Sequence, residues 1–187
     1  MEIQREIHNK ILEDLKKKMV FIVGPRQVGK TWLAKKIMKE YRNPLYLNFD
    51  DVSHRKIIKD RSWLSDVDLV VFDEIHKMSK WKNYLKGVYD TKKDGLDVLV
   101  TGSARLDAFK NVGDSLAGRF FTHHLFPFTL SEIKNVSIEN KMKLLFERSG
   151  FPEPFLSSES DANRWRSLYT ESLLGQDVLE FQDIDRV

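Results

Sequence analysis

The 187-residue sequence contains no cysteine, which excludes a disulfide framework, a thiolate zinc site and a cysteine nucleophile. Long apolar runs are also absent. The longest, VLVTG and VVF among them, have only a handful of residues, whereas a membrane-spanning helix needs about 20. The amino-terminal segment mixes charges throughout and lacks the apolar stretch and cleavage site of a secretory signal. These absences predict a soluble protein of the cytoplasm with no membrane partner.

Neither sign of charge predominates. Lysine and arginine number 31 and the acidic residues 28, which leaves a formal net charge of +3. Electrostatics alone therefore do not call for a nucleic-acid or membrane partner. With 41% hydrophobic residues, a chain of this length can bury one good core with a small appendage beside it. We expect one main domain.

Short, continuous apolar runs of the kind found in buried parallel strands recur along the chain. They are VFIV at 20–23, LYLNF at 45–49, DLVVF at 68–72, DVLVT at 97–101 and FFTHHL at 120–125. Apolar residues at helical spacing lie between them, as at Leu33 and Ile37 or at Trp81 and Leu85. Strands that alternate with helices predict an α/β fold around a mostly parallel sheet.

Both ends of the chain have helical patterns. At the amino terminus an amphipathic helix is predicted by apolar residues at helical spacing, namely Ile3, Ile7, Ile11, Leu12 and Leu15. After Thr129 the pattern is helical over 138–148 and 161–181, on either side of a Gly-Phe-Pro-Glu-Pro break. We predict an α/β domain over residues 1–128 and a helical region over 129–187. No cap, glycine or proline closes the last helix, which predicts that the native chain continues.

Residues 24–31, Gly-Pro-Arg-Gln-Val-Gly-Lys-Thr, match the phosphate-binding motif G-x-x-x-x-G-K-[ST] between a predicted strand and a predicted helix. Glycines let successive backbone N–H groups converge on phosphate oxygens, and the helix N-terminus adds its positive end. Lys30 is expected to reach the β and γ phosphates, and Thr31 to bind Mg²⁺. The Arg26 side chain is expected to point away. The predicted nucleotide-binding residues are Gly24, Pro25, Arg26, Gln27, Val28, Gly29, Lys30, Thr31 and Trp32.

Two adjacent acids, Asp73 and Glu74, follow the apolar run LVVF at the carboxyl end of a predicted strand. Ligands of open α/β sheets bind at this edge. Adjacent acids at a strand end point to opposite sides, so Asp73 is predicted to hold Mg²⁺ through water. Glu74 is then placed to polarise a water for attack on the γ phosphate.

Three further polar residues are candidates for the same site. Ser103, after the fourth strand, is predicted to hydrogen-bond the γ phosphate or the attacking water, with Thr101 as the alternative. Asn48, at the end of the second strand, either hydrogen-bonds Glu74 in a resting state or is a turn residue. Arg119, just before the fifth strand, is predicted to neutralise charge on the γ phosphate of a neighbouring subunit. The alternative for Arg119 is an ion pair with an acid such as Asp114.

The motifs GPRQVGKTWLAKKI, LNFDD, VVFDEIHK, VLVTGSARL, LAGRF, LFPFTLSE and GFPEPFL, in that order, resemble those of bacterial and archaeal AAA-type ATPases. The resemblance covers nearly the whole chain. It implies a P-loop NTPase fold with a five-stranded sheet in the order 5-1-4-3-2, followed by a small helical lid. It also implies hydrolysis of ATP to ADP with Mg²⁺, assisted by Glu74.

Members of this family usually carry a further carboxyl-terminal domain of unclear function, and we expect this sequence to end before it. The resemblance therefore leaves open a DNA or protein partner that acts through that domain, and it leaves open a homo-oligomer. Two alternatives to ATP hydrolysis also remain, a nucleotide-gated binding module with negligible turnover and a small-molecule kinase. A GTPase is disfavoured because no Asn-Lys-x-Asp follows the fourth strand.

Overall fold

Five parallel strands form the central sheet of the first of two compact units, residues 1–126 and 127–187. The computed structural model describes residues 3–62, 66–102, 116–134 and 138–173. The strands are β1 (Met19–Val23), β2 (Pro44–Asn48), β3 (Leu69–Asp73), β4 (Asp97–Gly102) and β5 (Phe120–His124). Their order is β2-β3-β4-β1-β5, with every neighbouring pair parallel. The predicted α/β fold and strand order are therefore confirmed.

The three central strands are buried along their whole length, which explains why their sequences are continuous rather than alternating apolar runs. One face packs in a cluster that joins Phe21, Phe72 and Val100 to residues of the flanking helices. Phe72, next to the last residue of β3, has no exposed surface. The sheet register places Asp73 of β3 level with Asn48 of β2 and Thr101 of β4. Three polar side chains thus follow the buried core at the carboxyl edge of the sheet.

In the described part of the first unit, one helix precedes β1 and the others lie between successive strands up to β4. These elements are α1 (Ile7–Leu15), α2 (Lys30–Met38), α3 (Val52–Asp60), a 3-10 turn (Ile75–Lys77) and α4 (Trp81–Thr91). Helix α2 contacts β3 and β4, whereas Ile58 of α3 and Leu85 of α4 belong to the cluster around Phe72. Helices therefore cover both faces of the sheet, as parallel sheets require.

The described part of the second unit is helical. Its helices are α5 (Leu130–Ile133), α6 (Lys141–Arg148), α7 (Pro152–Leu156) and α8 (Glu159–Ser172). A capping box between Thr129 and Glu132 begins α5. Trp165 and Tyr169 of α8 stack on each other, and the ring of Phe151 packs against both at a tilt. The predicted Gly-Phe-Pro-Glu-Pro break was wrong in part, because Pro152 occupies the first position of α7, where its missing N–H has no partner to lose.

Among the helices described for both units, none combines the length and the apolar composition that crossing a bilayer requires.

Candidate nucleotide site

The loop between β1 and α2 turns through residues with positive φ. Gly24, Gln27 and Gly29 have φ values of 155°, 60° and 97°. Gly29 directly precedes α2 and has left-handed backbone, so its lack of a Cβ lets the helix begin there. Turns of this kind direct successive N–H groups toward one concave surface, which suits an anion.

Gly24 also lies against the backbone that follows β5. A Cβ on this residue would be 2.3 Å from the carbonyl oxygen of Leu125, a contact that real Cβ atoms do not make. The loop is held from behind as well, because the buried Arg5 donates to the carbonyl oxygen of Val28 over 3.2 Å and to that of Phe126. Contacts with Arg5 and with the backbone that follows β5 therefore restrain the loop.

Lys30 is buried at the start of α2, and its Nζ donates to the carbonyl oxygens of Gly24 and Pro25 over 2.9 and 2.7 Å. The ammonium group thus bridges the two ends of the phosphate-binding motif. Burial lowers the pKa of Lys30, and the positive charge of Arg26 acts in the same direction. The negative charges of Glu74 and Asp73 oppose that shift.

Asp73 accepts hydrogen bonds from three hydroxyl groups on three different elements. Thr31 Oγ1 of α2 lies 2.9 Å from Oδ2, and the Tyr46 hydroxyl of β2 lies 2.5 Å from the same oxygen. Thr101 Oγ1 of β4 donates to Oδ1 over 2.6 Å. Asp73 is 4% exposed, so its carboxylate needs hydrogen-bond donors in place of water. The three hydroxyl groups supply them next to the loop.

Glu74, next to Asp73, has left-handed backbone with a φ of 56°, and its N–H donates to the carbonyl oxygen of Thr101 over 3.1 Å. Its carboxylate Oε2 lies 3.4 Å from His76 Nε2 and 3.9 Å from Lys77 Nζ. Burial, and then the neighbouring charge of Asp73, raises the pKa of Glu74. A carboxylate with a raised pKa is a stronger base, which suits proton transfer from water.

The remaining predicted loop residues differ in exposure. Val28 is fully buried, Gln27 is exposed and Arg26 is half-buried. Trp32, on the first turn of α2, is 42% exposed, and Lys36 Nζ lies 5.3 Å from its ring centroid. The nine predicted residues form the loop after β1 and the first residues of α2. Their contacts with a nucleotide stay predictions.

Ser103 lies outside the described residues. The alternative, Thr101, has no exposed surface and donates its hydroxyl to Asp73. It therefore supports the carboxylate instead of presenting a donor to a phosphate. The predicted bond between Asn48 and Glu74 is also not made, because Asn48 Oδ1 accepts from the N–H of Asp50 over 2.8 Å, as in a turn.

Arg119 lies at the opposite, amino edge of the sheet, where its carbonyl oxygen accepts from the N–H of Met19 over 3.1 Å. Its guanidinium pairs with Asp90 of α4, Nε to Oδ1 over 2.8 Å and Nη2 to Oδ2 over 3.3 Å. The five residues of β1 separate this edge from the phosphate-binding loop, about 16 Å along the strand. The structure therefore does not bring Arg119 to the loop of its own chain.

Sequence reasoning missed Tyr46 and Arg5. Tyr46 was counted as one apolar residue of a strand, although two-residue periodicity places it on the same sheet face as Asp73 of the neighbouring strand. Burial raises the pKa of its hydroxyl first, and the bond to Asp73 raises it further, so this hydroxyl remains a donor. No local signal distinguishes Arg5 from the other charged residues around α1.

The side chains and backbone N–H groups of this site fit a nucleoside triphosphate with Mg²⁺. Because Thr31 donates its proton to Asp73, the lone pairs of its hydroxyl oxygen stay available to a cation, and oxygen ligands are those that Mg²⁺ prefers. The buried ammonium of Lys30 and the loop N–H groups supply the positive charge that phosphates need.

A family model described as "AAA domain" matches residues 16–134, more than half of the chain. The chain belongs to the AAA domain family. The family predicted from the sequence motifs is therefore confirmed, and membership supports nucleotide binding and ATPase activity in this chain.

Two curated relatives are similar along most of the chain, and both are themselves uncharacterized. MJ1544 of Methanocaldococcus jannaschii is 24% identical over 99% of this chain and 46% of its own length. Rv2008c of Mycobacterium tuberculosis is 26% identical over 87% of this chain and 36% of its own length. The chain thus spans less than half the length of these relatives.

Solved structures share the fold. The Walker-type ATPase PABY2304 of Pyrococcus abyssi has a TM-score of 0.62 at 15% identity, over 97% of this chain and 76% of that one. The RuvB Holliday junction branch migration motor of Thermotoga maritima has a TM-score of 0.55 at 23% identity, over 90% of this chain and 63% of that one. At these identities the likeness shows the fold alone.

Proposed function

We propose that this chain binds ATP together with Mg²⁺ and hydrolyses it to ADP and phosphate. One observation carries the proposal: the hydroxyl of Thr31, in the phosphate-binding motif, lies 2.9 Å from the carboxylate of Asp73 at the end of β3. A loop suited to phosphates and an acid suited to a metal cation thus meet at the carboxyl edge of the sheet, where ligands of such sheets bind.

In this proposal, Lys30 and the loop N–H groups bind the phosphates, and Thr31 and Asp73 hold Mg²⁺. Bound Mg²⁺ supplies charge neutralisation at the phosphate oxygens. Glu74 accepts a proton from the water that attacks the γ phosphorus, and the raised pKa of its carboxyl favours that transfer. Ser103 stays a predicted contact to the γ phosphate or to the water.

A nucleotide-gated binding module is the second candidate, and the position of Arg119 favours it. Its guanidinium pairs with Asp90 at the edge of the sheet opposite to the loop, so a single chain lacks this cation at its own γ phosphate. A chain without a neighbour would then bind ATP and turn it over slowly, because an arginine at the γ phosphate accelerates related reactions by roughly 10³–10⁵.

The activity that ATP serves is proposed to lie in a partner. The curated relatives are more than twice as long as the part that this chain matches, so we infer that a protein or DNA partner acts through a region beyond it. RuvB, which shares this fold, is a Holliday junction branch migration motor, and it is one precedent for a partner activity of this kind. A homo-oligomer and a cytoplasmic location stay predictions from the sequence.

The test compares the parent with Glu74→Gln in phosphate release and in ATP binding. We expect the parent to release phosphate only with Mg²⁺, and the glutamine variant to bind ATP with similar affinity while turnover falls by about 10²–10⁴, the usual contribution of a general base. Glu40→Gln, at an exposed position after α2, is the matched control. Parent-like turnover in Glu74→Gln would remove Glu74 as the base. ATP binding without turnover in the parent at every protein concentration would favour the binding module.

A further inference from the structure

The hydroxyl of Tyr46 is bound to the acid that we assign to Mg²⁺. It lies 2.5 Å from Asp73 Oδ2, the same oxygen that accepts from Thr31 over 2.9 Å. Thr101 occupies the other carboxylate oxygen over 2.6 Å. Thr31 belongs to the phosphate-binding motif, and Thr101 lies near the carboxyl end of β4, next to Asp73. Tyr46 belongs to neither of these segments.

The sheet explains why a tyrosine makes this contact. Tyr46 of β2 is level with Val71 of β3, two residues before Asp73 and on the same face. Two residues span about 6.6 Å along a strand, a distance that a phenol ring can bridge and that a serine or threonine hydroxyl cannot. The ring also lies beside Lys35 of α2, whose Nζ is 5.5 Å from the ring centroid.

The hydroxyl of Tyr46 completes a set of three donors that occupies both oxygens of the Asp73 carboxylate. With donors on both of its oxygens, the Asp73 carboxylate is restrained from rotating about its terminal bond. A carboxylate that holds a metal cation needs such outer hydrogen bonds to keep its orientation.

We propose that Tyr46 is a positioning residue for the Mg²⁺ site, which acts by holding Asp73 in the orientation that receives the cation. This inference rests on the proposed function. It predicts that removal of the Tyr46 hydroxyl weakens the effect of Mg²⁺ on nucleotide affinity. Nucleotide affinity in the absence of Mg²⁺ should not change, because it depends on the phosphate-binding loop.

A purely structural role for Tyr46 is the alternative, and the chain provides a matched control for it. Tyr41 donates its hydroxyl to Asp97 Oδ2 over 2.7 Å, and Asp97 is 7% exposed at the amino end of β4. A tyrosine hydroxyl that donates to a buried aspartate is thus also present at the edge of the sheet opposite to the phosphate-binding loop. Tyr41→Phe removes the same hydroxyl from a similar buried carboxylate without touching the site.

The experiment measures binding of fluorescent N-methylanthraniloyl-ADP to the parent, Tyr46→Phe and Tyr41→Phe, first in EDTA and then over a titration with MgCl₂. We expect equal affinities in EDTA for all three proteins. In the titration the Mg²⁺ concentration at half-maximal effect should rise about tenfold in Tyr46→Phe, the lower end of what outer hydrogen bonds contribute, and stay unchanged in Tyr41→Phe.

An unchanged Mg²⁺ midpoint in Tyr46→Phe would overturn the inference, and so would an equal shift in both variants, which would indicate a general loss of stability. Thermal melts of each variant identify such a loss directly. Failure of the proposed function would give a different result: the nucleotide affinity of the parent itself would not respond to Mg²⁺.

Thr101→Val, which removes the donor to the other oxygen of Asp73, should also raise the Mg²⁺ midpoint. A parent-like midpoint in that variant would contradict the proposed restraint.

Discussion

Arg119 and Asp90 form a two-point ion pair at the amino edge of the sheet, with Nε 2.8 Å from Oδ1 and Nη2 3.3 Å from Oδ2. The arginine that the sequence motifs assign to the γ phosphate therefore has an acid partner on α4 of its own chain. This partner is not Asp114, which lies outside the described residues. The pair restricts the predicted catalytic role to a neighbouring subunit, because the loop of the same chain is at the other edge.

We predict that Arg119 acts on the nucleotide of a neighbouring subunit. Arg119→Ala should bind ATP like the parent and hydrolyse it at least about a thousandfold more slowly, and the parent's turnover per chain should rise with protein concentration. An equimolar mixture of Arg119→Ala with Lys30→Ala should recover activity, because one variant keeps the loop and the other keeps the arginine. Phosphate release across a hundredfold range of concentration is the measurement.

Asp90→Asn is the control for the arginine prediction, since it removes the same ion pair from the other side. Both groups of the pair are partly exposed, and ion pairs of this kind contribute little to stability. A structural role alone would give the two variants the same phenotype. Turnover that is independent of concentration, with no recovery on mixing, would contradict the model of a shared site.

Asp73→Asn should bind nucleotide in EDTA like the parent and lose the increase in affinity on addition of Mg²⁺, because an amide carries no charge for the cation. It should also lower the melting temperature, since three hydroxyl donors face this side chain and an unsatisfied buried group costs about 1–3 kcal/mol. Asp97→Asn, another buried acid with a tyrosine donor, should lose stability and keep the response to Mg²⁺. Calorimetry with ADP in the two conditions distinguishes them.

Glu74→Gln should stabilise the protein at neutral pH. The pKa of this carboxyl is raised above its ordinary 4.5 by burial and by Asp73, so the folded protein binds the proton more tightly than the unfolded chain. Stability is therefore lost as pH rises from 4.5 through the raised pKa, and the glutamine variant avoids that loss.

At about pH 7.5 the glutamine variant should melt at a higher temperature than the parent, because the parent then carries the buried charge. This difference should close as the pH falls below the ordinary pKa of a glutamate, where both states of the parent are protonated. Scanning calorimetry of the parent, Glu74→Gln and Glu40→Gln over this range is the measurement. A difference that does not depend on pH would show that ionisation of Glu74 is not its cause.

The sheet could be predicted from the sequence because its central strands are buried on both faces. A run such as DLVVF, predicted over 68–72, corresponds to β3 at Leu69–Asp73 with a shift of one residue, and the other strands agree as closely. Helix α3 was not predicted, since Ile58 is its one buried residue and a helix with so narrow an apolar face leaves little periodicity. Its clearest local signal is Asp51, whose side chain caps the first turn.

The candidate site could be predicted where chemistry is local in sequence, as in the loop and in the acid pair at the end of β3. It could not be predicted where a contact depends on sheet register. Tyr46 reaches Asp73 from the next strand, across 27 positions of sequence, and the pattern LYLNF gives no sign of it. Asn48 was placed at the correct edge of the sheet, but its side-chain oxygen accepts from the N–H of Asp50 instead of bonding to Glu74.

Calorimetric titration of Lys30→Ala with ATP and Mg²⁺ tests the central claim most directly. Lys30 Nζ lies within 2.9 Å of the carbonyl oxygens of Gly24 and Pro25, and the backbone and the glycines shape the loop, so the variant should fold. Loss of a buried ammonium from the phosphates should weaken ATP binding by about 3 kcal/mol, roughly a hundredfold in Kd. Lys39→Ala, exposed at the end of α2, should bind like the parent. A Kd for Lys30→Ala within a few-fold of the parent would contradict the assignment of this loop as the nucleotide site.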